Sequence, residues 1–587
     1  MKFLKNVLAV IIGLGIFSLI SVLLLIGILG AVGSSGNTKQ PLKEASVLRI
    51  KLDGPIVDRA DEDPSYGLGK LLGKESSIGI NKIEQALNHA AEDDNITAVY
   101  LEAPQIMAGP ASALELRRMI AHFKNTTDKP VYAYSPYYSQ LSYFVASAAD
   151  SVFLNPAGEL ELKGLSANIT FYKGLFDKLG IKPEIFRVGD FKSAVEPYFR
   201  KDMSKENRLQ YTEMLNGLNK HLIAEISQDR HLSEKEVKHI SDSLLVRGPK
   251  DALKYHLVDQ LYYEDQVVDL LKKASGLEED DKLHCIGLNA YLNTFDAPVN
   301  TSDNKIAVIY ADGGIMTGKS KPGTIGSTTI MEELAKARKD DKVKAVVLRV
   351  NSPGGSALAS DMIWREVKLT KAVKPVIASM GNYAASGGYY ISMAADTIVA
   401  EPNTITGSIG IFAVLMNLDE LLNHKLGVTH DVVKTGAFSD LGNNTRKMTD
   451  YERHIIQSGV NRGYETFTSK AAEGRHMPIE QLLKIAGGRV WTGEKAQQLG
   501  LVDVMGDLHT AISLAAKKAD IEDDYKVSNR PEIKDPFTQF IEEMNEEAEV
   551  KIAKFNFGPF MEYASTINRL KQAKGPQARM EFDMEIK

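Results

Sequence analysis

Cysteine is almost absent from this sequence. Cys285 is the only one among 587 residues, which excludes an intrachain disulfide framework and a cysteine-rich metal site. A strong charge of one sign is also missing: the net charge is −6 and the charged residues are spread along the chain, so nothing indicates nucleic-acid binding. What remains, 44% hydrophobic and 25% charged residues, is typical of a globular protein long enough for several domains.

Charge is missing locally at the N-terminus. No charged residue lies between Lys5 and Lys39, and Val7 to Val32 is an almost unbroken apolar run. As a helix this run would rise about 39 Å, enough to cross a bilayer with some tilt. A cleavable signal peptide is the alternative, but the run is longer than the apolar region of such a peptide. We therefore expect a retained transmembrane anchor over residues 1–33, with Lys2 and Lys5 in the cytoplasm and the rest of the chain outside it.

The rest of the sequence contains one module twice. Three segments of the first half return in the second at nearly constant spacing: Thr97–Leu101 as Lys344–Leu348, Ala148–Val152 as Ala394–Ile398, and Arg230–Leu232 as Arg475–Met477. When the two copies are aligned in this register, Ser386 of the second copy aligns with Gln140 of the first. Conversely, Lys192 of the first copy aligns with Ser439 of the second. A serine kept in one half and a lysine kept in the other predict one composite active site.

Apolar, strand-sized runs alternate with amphipathic helical segments in both copies, which predicts an α/β fold with parallel βαβ units. We predict a linker over residues 34–45, a first domain over 46–277, a second linker over 278–304 and a second domain over 305–519. The charged tail, residues 520–587, is interpreted as solvated chain with no assigned function.

Two glycine-bearing turns of the second copy are typical of sites that bind an oxyanion. Asn351–Ser356 follows a buried strand, and its paired Gly354 and Gly355 allow a sharp turn with outward amides. A plain strand-to-helix turn explains the same pattern. Ser386 follows another strand, at the expected start of a helix, where the Gly387 amide could donate to an oxyanion. The alternative is that Ser386 simply caps that helix.

A serine nucleophile needs a base, commonly histidine or lysine. His424 and His430 are poorly placed for this role. Lys192 lies among small and apolar neighbours, and a lysine acts as a base only when desolvation lowers its pKa. The alternative is an ordinary surface lysine, or one paired with Asp190 or Glu196. Ser408 lies in the segment Thr406–Gly410, whose pattern is also that of a turn at the end of a strand. By itself it predicts only a cap or a local hydrogen bond.

Four motifs in this order resemble signal peptide peptidase A, also called protease IV, of peptidase family S49, in its long tandem-domain form. They are Gly189–Pro197, Asn351–Ser356, Ala384–Tyr389 and Thr406–Gly410. The resemblance implies two tandem domains of the crotonase/Clp-protease type and a serine peptidase with a Ser/Lys dyad. Ser386 would be the nucleophile, Lys192 the general base and Ser408 the group that orients the lysine amine. Amides of Gly387 and of either Gly354 or Gly355 would bind the oxyanion, with no metal or cofactor.

The same resemblance implies the setting. The substrates would be cleaved signal peptides and other hydrophobic peptides, and the partners would be the lipid bilayer and identical subunits in a homotetramer. The catalytic domains would lie on the extracytoplasmic side of a bacterial cytoplasmic membrane.

Two other function classes are compatible with the sequence. A crotonase-fold enzyme acting on acyl-thioesters would also use strand-following glycine turns as an oxyanion hole. Its coenzyme substrate gives it little need of an exported location. A non-catalytic membrane scaffold is the second alternative, and the retention of Ser386 and Lys192 argues against it.

Overall fold

The structure is a computed structural model that describes residues 42–60, 77–295, 300–532 and 577–579, together with Gly13, Phe17 and Ile20. The predicted anchor, residues 1–33, otherwise lies outside the described residues, as does most of the predicted 34–45 linker. Within the described part of the chain, no helix combines the length and apolar character needed to cross a bilayer.

The strands are numbered in chain order: β1 Ser46–Lys51, β2 Ile56–Val57, β3 Ile78–Gly79, β4 Ile96–Glu102, β5 Val131–Tyr138, β6 Ser151–Leu160, β7 Lys182–Arg187, β8 Gln260–Leu261, β9 His284–Gly287, β10 Lys305–Asp312, β11 Gly314–Met316, β12 Thr324–Gly326, β13 Val343–Ser352, β14 Gly354–Ser356, β15 Val376–Ala385, β16 Thr397–Ala400, β17 Ile405–Gly407, β18 Phe412–Asn417, β19 Val490–Thr492, β20 Val504–Met505, β21 Lys526–Arg530 and β22 Gln577–Arg579.

The α-helices are α1 Ile80–Glu92, α2 Pro110–Thr126, α3 Gln140–Ala146, α4 Lys173–Leu179, α5 Glu196–Phe199, α6 Lys205–Asp229, α7 Glu234–Asp242, α8 Pro249–Lys254, α9 Glu264–Ala274, α10 Leu288–Leu292, α11 Ser327–Lys339, α12 Ala357–Lys371, α13 Gly387–Ser392, α14 Asp450–Gly474, α15 Ile479–Ile485, α16 Gly493–Gln498 and α17 Leu508–Lys518. A 3-10 turn, Ser193–Val195, precedes α5, and a π-helical turn, Glu420–Lys425, follows β18.

Two sheets repeat one strand order, one in each half of the chain. In the first half the order is β9-β1-β4-β5-β6-β8, and every neighbouring pair is parallel. In the second half β21-β10-β13-β15-β16-β20 repeats it, again with parallel pairs. An irregularity in strand pairing also recurs. The register shifts after the first residue of the strand in both copies, between Ser46 and Val47 in β1 and between Lys305 and Ile306 in β10. The fold is therefore α/β, as predicted, and the duplication is visible in its topology.

Helices cover both faces of the second sheet, which explains why its central strands are apolar throughout. In β13 every residue from Ala345 to Val350 is buried. On one face α11 contributes Ile330 and Leu334, and on the other α17 contributes Ala511 and Ala515. The apolar side chains on each helix recur four residues apart, so they form one stripe directed at the sheet.

Two strands extend the sheets into segments interpreted from the sequence as linker and tail. Strand β9 lies within 278–304 and pairs with β1, while β21 lies within 520–587 and pairs with β10. Both are outer strands of few residues, with mixed polar and apolar side chains, so their sequences lack the continuous apolar run of a central strand. Part of the tail is also buried: Gln577 and Ala578 of β22 are 6% and 0% exposed.

A third sheet joins the two halves. Its order is β12-β11-β14-β22-β18-β7. Strand β7 comes from the first half and pairs antiparallel with β18 of the second, from Arg187 opposite Phe412 to Lys182 opposite Asn417. The chain leaving β7 therefore enters the second half of the molecule.

Buried polar contacts also fasten the halves together. Arg349 of β13, only 2% exposed, pairs with Asp58 at 2.8 Å and with Glu115 of α2 at 3.0 Å. Asn382 of β15 accepts hydrogen bonds from the amides of Ala111 and Ser112, at 3.1 and 3.0 Å. Because a buried charge left without its partner costs several kcal/mol, these contacts hold one relative position of the halves.

Candidate active site

Ser386 occupies a sharp turn between β15 and α13. Its backbone has φ 54° and ψ −109°, a conformation that residues other than glycine rarely adopt, and its side chain is fully buried. The hydroxyl makes no capping bond to the helix, so the capping interpretation of Ser386 is wrong. The close packing behind it requires glycine: a Cβ at Gly388 would lie 2.6 Å from the carbonyl oxygen of Ser352. The turn thus presents the serine hydroxyl rather than using it for the fold.

Lys192 reaches this serine from the first half of the chain. It follows β7 and lies at the start of the 3-10 turn Ser193–Val195. Its Nζ donates to Ser386 Oγ at 2.9 Å, and its side chain is buried, with the residue only 1% exposed. The interpretation of Lys192 as an ordinary surface lysine is therefore wrong. The two groups that the repeat separated in sequence lie together within one chain.

Ser408 completes a three-residue cluster. Lys192 Nζ donates to Ser408 Oγ at 3.0 Å and to its carbonyl oxygen at 3.1 Å, while Ser408 Oγ donates to the carbonyl of Gly488 at 3.2 Å. Like Ser386, Ser408 has a positive φ, here 50°. Two strained serines therefore face the same amine, and such strain is commonly concentrated at functional sites.

Two glycines of the second half, Gly488 and Gly410, make room for the lysine. A Cβ at Gly488, whose φ is +85°, would lie 2.6 Å from Lys192 Cα, and a Cβ at Gly410 would lie 3.2 Å from its Cδ. The amide of Phe191 donates to the carbonyl of Gly487 at 3.2 Å. The paired glycines at 487 and 488 were the available signal, but nothing in their local pattern pointed to a lysine nearly 300 positions earlier.

A buried amide network fixes the segment that follows Lys192. Gln210 of α6 donates to Ser193 Oγ at 2.6 Å and accepts from the amide of Val490 at 3.4 Å. Glu196, fully buried, accepts from the amide of Ser204 at 3.0 Å and from Asn207 Nδ2 at 2.9 Å. Because these partners lie on α6 and β19, the lysine segment is held from both halves.

The predicted oxyanion glycines also lie beside Ser386. Gly387 is the first residue of α13, and Gly354 has φ +103°. A Cβ at Gly354 would lie 2.7 Å from the Gly387 amide nitrogen, so the Gly354–Gly355 turn adjoins that amide. In this structure the Gly354 amide donates to Ser352 Oγ at 3.1 Å.

The residues that align with Ser386 and Lys192 in the other copy of the repeat, Gln140 and Ser439, do not form a second cluster of this kind. Gln140 is buried, and its Oε1 accepts from the amides of Lys163 and Gly164, both at 2.8 Å. Ser439 is exposed, as are His424 and His430. Among the described residues, the second copy of the site is therefore not built, and neither histidine lies in the buried cluster.

The chain is similar to known proteins over most of its length. The profile of peptidase family S49 matches residues 123–278 and again 368–522, and the Clp protease profile matches 300–405. Protease 4 of Salmonella typhi is 36% identical over 524 residues, which cover 87% of this chain and 84% of that protein. Protease 4 of Haemophilus influenzae is 35% identical, covering 86% of this chain and 84% of that protein. The chloroplastic serine protease SPPA of Arabidopsis thaliana is 33% identical, covering 83% of this chain and 71% of that one.

Proposed function

Since this chain belongs to peptidase family S49 and is a serine protease, we propose that Ser386 is its nucleophile and Lys192 its general base. The observation that carries this proposal is the 2.9 Å contact between Lys192 Nζ and Ser386 Oγ inside a buried cluster. Such a distance allows direct proton transfer. The domain over 46–277 would supply the base and the domain over 305–519 the nucleophile.

The residues of the cluster and the glycine amides have different roles in the mechanism. Burial favours the neutral amine of Lys192, which takes the proton of Ser386 as the serine oxygen attacks a peptide carbonyl carbon. The Gly387 amide, with an amide of the Gly354–Gly355 turn, stabilises the oxyanion. The lysine ammonium then donates its proton to the departing amine. Water, deprotonated by the same lysine, hydrolyses the acyl-enzyme and restores Ser386.

Ser408 is a positioning residue in this scheme. Its hydroxyl and its carbonyl oxygen both accept from Lys192 Nζ, so they direct the amine at Ser386. Its own hydrogen goes to the Gly488 carbonyl, which leaves its oxygen lone pairs facing the amine.

The cellular location and the substrates are proposed from the sequence. The apolar run from Val7 to Val32 would anchor the protein in a bacterial cytoplasmic membrane with its catalytic domains outside the cytoplasm, near cleaved signal peptides and other hydrophobic peptides. Subunits would assemble as a homotetramer. Membrane fractionation of the full chain beside a chain that begins at residue 34 tests the anchor: the full chain should resist carbonate extraction and the shortened one should not.

Hydrolysis of a hydrophobic reporter peptide tests the dyad. Ser386→Ala and Lys192→Met should each lower kcat by at least about a thousandfold, since each removes a group without which the serine cannot attack. The chain offers two matched controls. Ser439→Ala alters the exposed serine that faces Lys192 in the repeat, and Lys201→Met alters an exposed lysine nearby. Both should retain full activity, whereas wild-type rates in the Ser386 or Lys192 variants would refute the mechanism.

A further inference from the structure

Gln210 of α6 connects the segments that carry the two members of the dyad. Its Nε2 donates to Ser193 Oγ at 2.6 Å, and Ser193 is the residue directly after Lys192. Its Oε1 accepts from the amide of Val490 in β19 at 3.4 Å. The side chain is buried, with 2% of the residue exposed. One amide group of the first half is therefore bonded both to the lysine segment and to a strand of the second half.

The strand that contains Val490 supports the two serines of the site. In the antiparallel pair of β17 and β19, Val490 lies opposite Gly407. The carbonyl of Gly407 accepts from the amide of Ser386 at 2.8 Å, and Ser408 is the next residue along the chain. The amide of Ser408 in turn donates to the carbonyl of Arg489 in the residue before β19, at 2.7 Å. A displacement of β19 would therefore move both serines relative to the lysine.

The side-chain amide of Gln210 is fixed in one orientation by a further bond within the first half. Its Nε2 also donates to Asn207 Oδ1 at 3.1 Å, and Asn207 Nδ2 donates to Glu196 at 2.9 Å. Asn207 and Glu196 are 1% and 0% exposed. Because Nε2 carries two hydrogens, its two bonds use its full donor capacity. Turning the amide over would direct its oxygen at the oxygen of Asn207, so these contacts select one orientation.

The repeat has this amide only in the copy that supplies the lysine. Helices α6 and α14 both have 25 residues, and each begins after a hydroxyl cap, Ser204 in one and Thr449 in the other. In that register Gln210 aligns with Ile455, whose side chain forms no hydrogen bonds. The copy that lacks the lysine therefore also lacks the amide, which is the pattern expected of two residues that serve one function.

From these contacts, and resting on the dyad proposed above, we propose that Gln210 is a positioning residue for proton transfer between Ser386 and Lys192. It acts through Ser193 and Val490. Its amide sets the separation between the lysine segment and the β17–β19 pair, and the 2.9 Å contact of Nζ with Oγ depends on that separation. Since a misplacement of about 1 Å can cost about a hundredfold in rate, this support belongs to the catalytic geometry.

Hydrolysis of the hydrophobic reporter peptide by the full-length chain is the first measurement. Gln210→Met keeps the length of the side chain but removes its hydrogen bonds, and it should lower kcat at least about tenfold with little change in KM. Ser193→Ala removes only the bond to the lysine segment and should act in the same direction. The double variant should be little slower than Gln210→Met, because both changes remove the same contact. Gln228→Met is the matched control: Gln228 lies exposed on the same helix, and its variant should keep full activity.

The dependence of kcat/KM on pH separates positioning from a merely structural role. In wild-type protein kcat/KM should rise with pH as the lysine of the free enzyme loses its proton. A lysine segment released from Gln210 admits water to the buried amine, and water favours the charged form of the amine. In Gln210→Met and Ser193→Ala the rise should therefore occur at higher pH, by about half a unit or more. A loss of folded protein alone would lower the rate at every pH and leave the midpoint unchanged.

The outcomes separate this inference from the dyad itself. If wild-type hydrolysis depends on Ser386, but folded Gln210→Met and Ser193→Ala proteins keep the wild-type kcat and pH midpoint, the inference fails alone. A lower rate with an unchanged midpoint would assign Gln210 to stability, and an increase in KM alone would assign it to substrate binding. Fully additive losses in the double variant would also contradict the inference. If wild-type protein shows no hydrolysis that depends on Ser386, the proposed function fails instead.

Discussion

Gly488 lies directly against the backbone of Lys192, so closely that a Cβ at position 488 would stand 2.6 Å from the lysine Cα. These residues come from opposite halves of the chain. The contact shows that the lysine is accommodated by the second half as well as delivered by the first.

We therefore expect Gly488→Ala to displace Lys192 and to lower kcat strongly, by about a hundredfold or more, because even a small misplacement of a catalytic group is costly. Gly442→Ala is a matched control, since Gly442 has the same φ of +85° but nothing within 4 Å of its would-be Cβ. Both substitutions impose the same backbone strain, so the melting temperatures of the two variants report the effect of strain on stability. An activity loss found only in Gly488→Ala then reports the displacement of Lys192. Equal activity losses in the two variants would contradict the role of Gly488.

Ser408→Ala should lower kcat about tenfold and leave KM nearly unchanged. It removes one buried hydrogen bond to the amine, worth about 1.4 kcal/mol, while the Ser408 carbonyl still contacts Nζ. Steady-state kinetics on the reporter peptide give both constants. An increase in KM with unchanged kcat would assign Ser408 to substrate binding instead.

Glu401 should make stability depend on pH. Burial raises the pKa of this carboxyl to about 8, and its Oε2 has no hydrogen-bond partner among the described residues, while Oε1 accepts from Arg118. Because the folded state then binds a proton that the unfolded chain has already released, its contribution to stability is present below about pH 4.5 and is lost as pH rises towards about 8. Denaturant unfolding of Glu401→Gln, which cannot ionise, should show a weaker decline between pH 5 and 8. An unchanged slope would contradict this assignment.

Much of the fold follows from the sequence because its signals are local. Amphipathic spacing over Ile83–Ala91 and Thr329–Arg338 predicts one helix in each copy, and these segments lie within α1 and α11, whose apolar residues form clear stripes. Apolar spacing over Asp251–Leu271 also predicts a helical segment, but the structure divides it into α8, β8 and α9. Its break falls at His256, whose φ of 57° ends the helix before the buried Val258 and the outer strand β8. Periodicity alone does not reveal such a tertiary constraint.

The candidate site likewise has a part that the sequence predicts and a part that it does not. Ser386 and Lys192 stood out because each was kept in only one copy of the repeat. The supporting contacts of Gln210 and Gly488 depend on how the halves pack, and no local pattern encodes that packing. The burial of Ala578 in the third sheet was missed for the same reason: a short strand that pairs with distant strands has no signature of its own within a charged tail.

Labelling with a serine-reactive phosphonate tests the central claim, the composite Ser/Lys dyad, most directly. Full-length protein should take up one phosphonate adduct, located on Ser386 by peptide mass spectrometry. Lys192→Met protein, shown to be folded by its unchanged melting temperature, should be labelled at least about a hundredfold more slowly, because its serine has lost its base. Labelling of Ser386 at an unchanged rate without Lys192, or labelling only at another serine, would contradict the account.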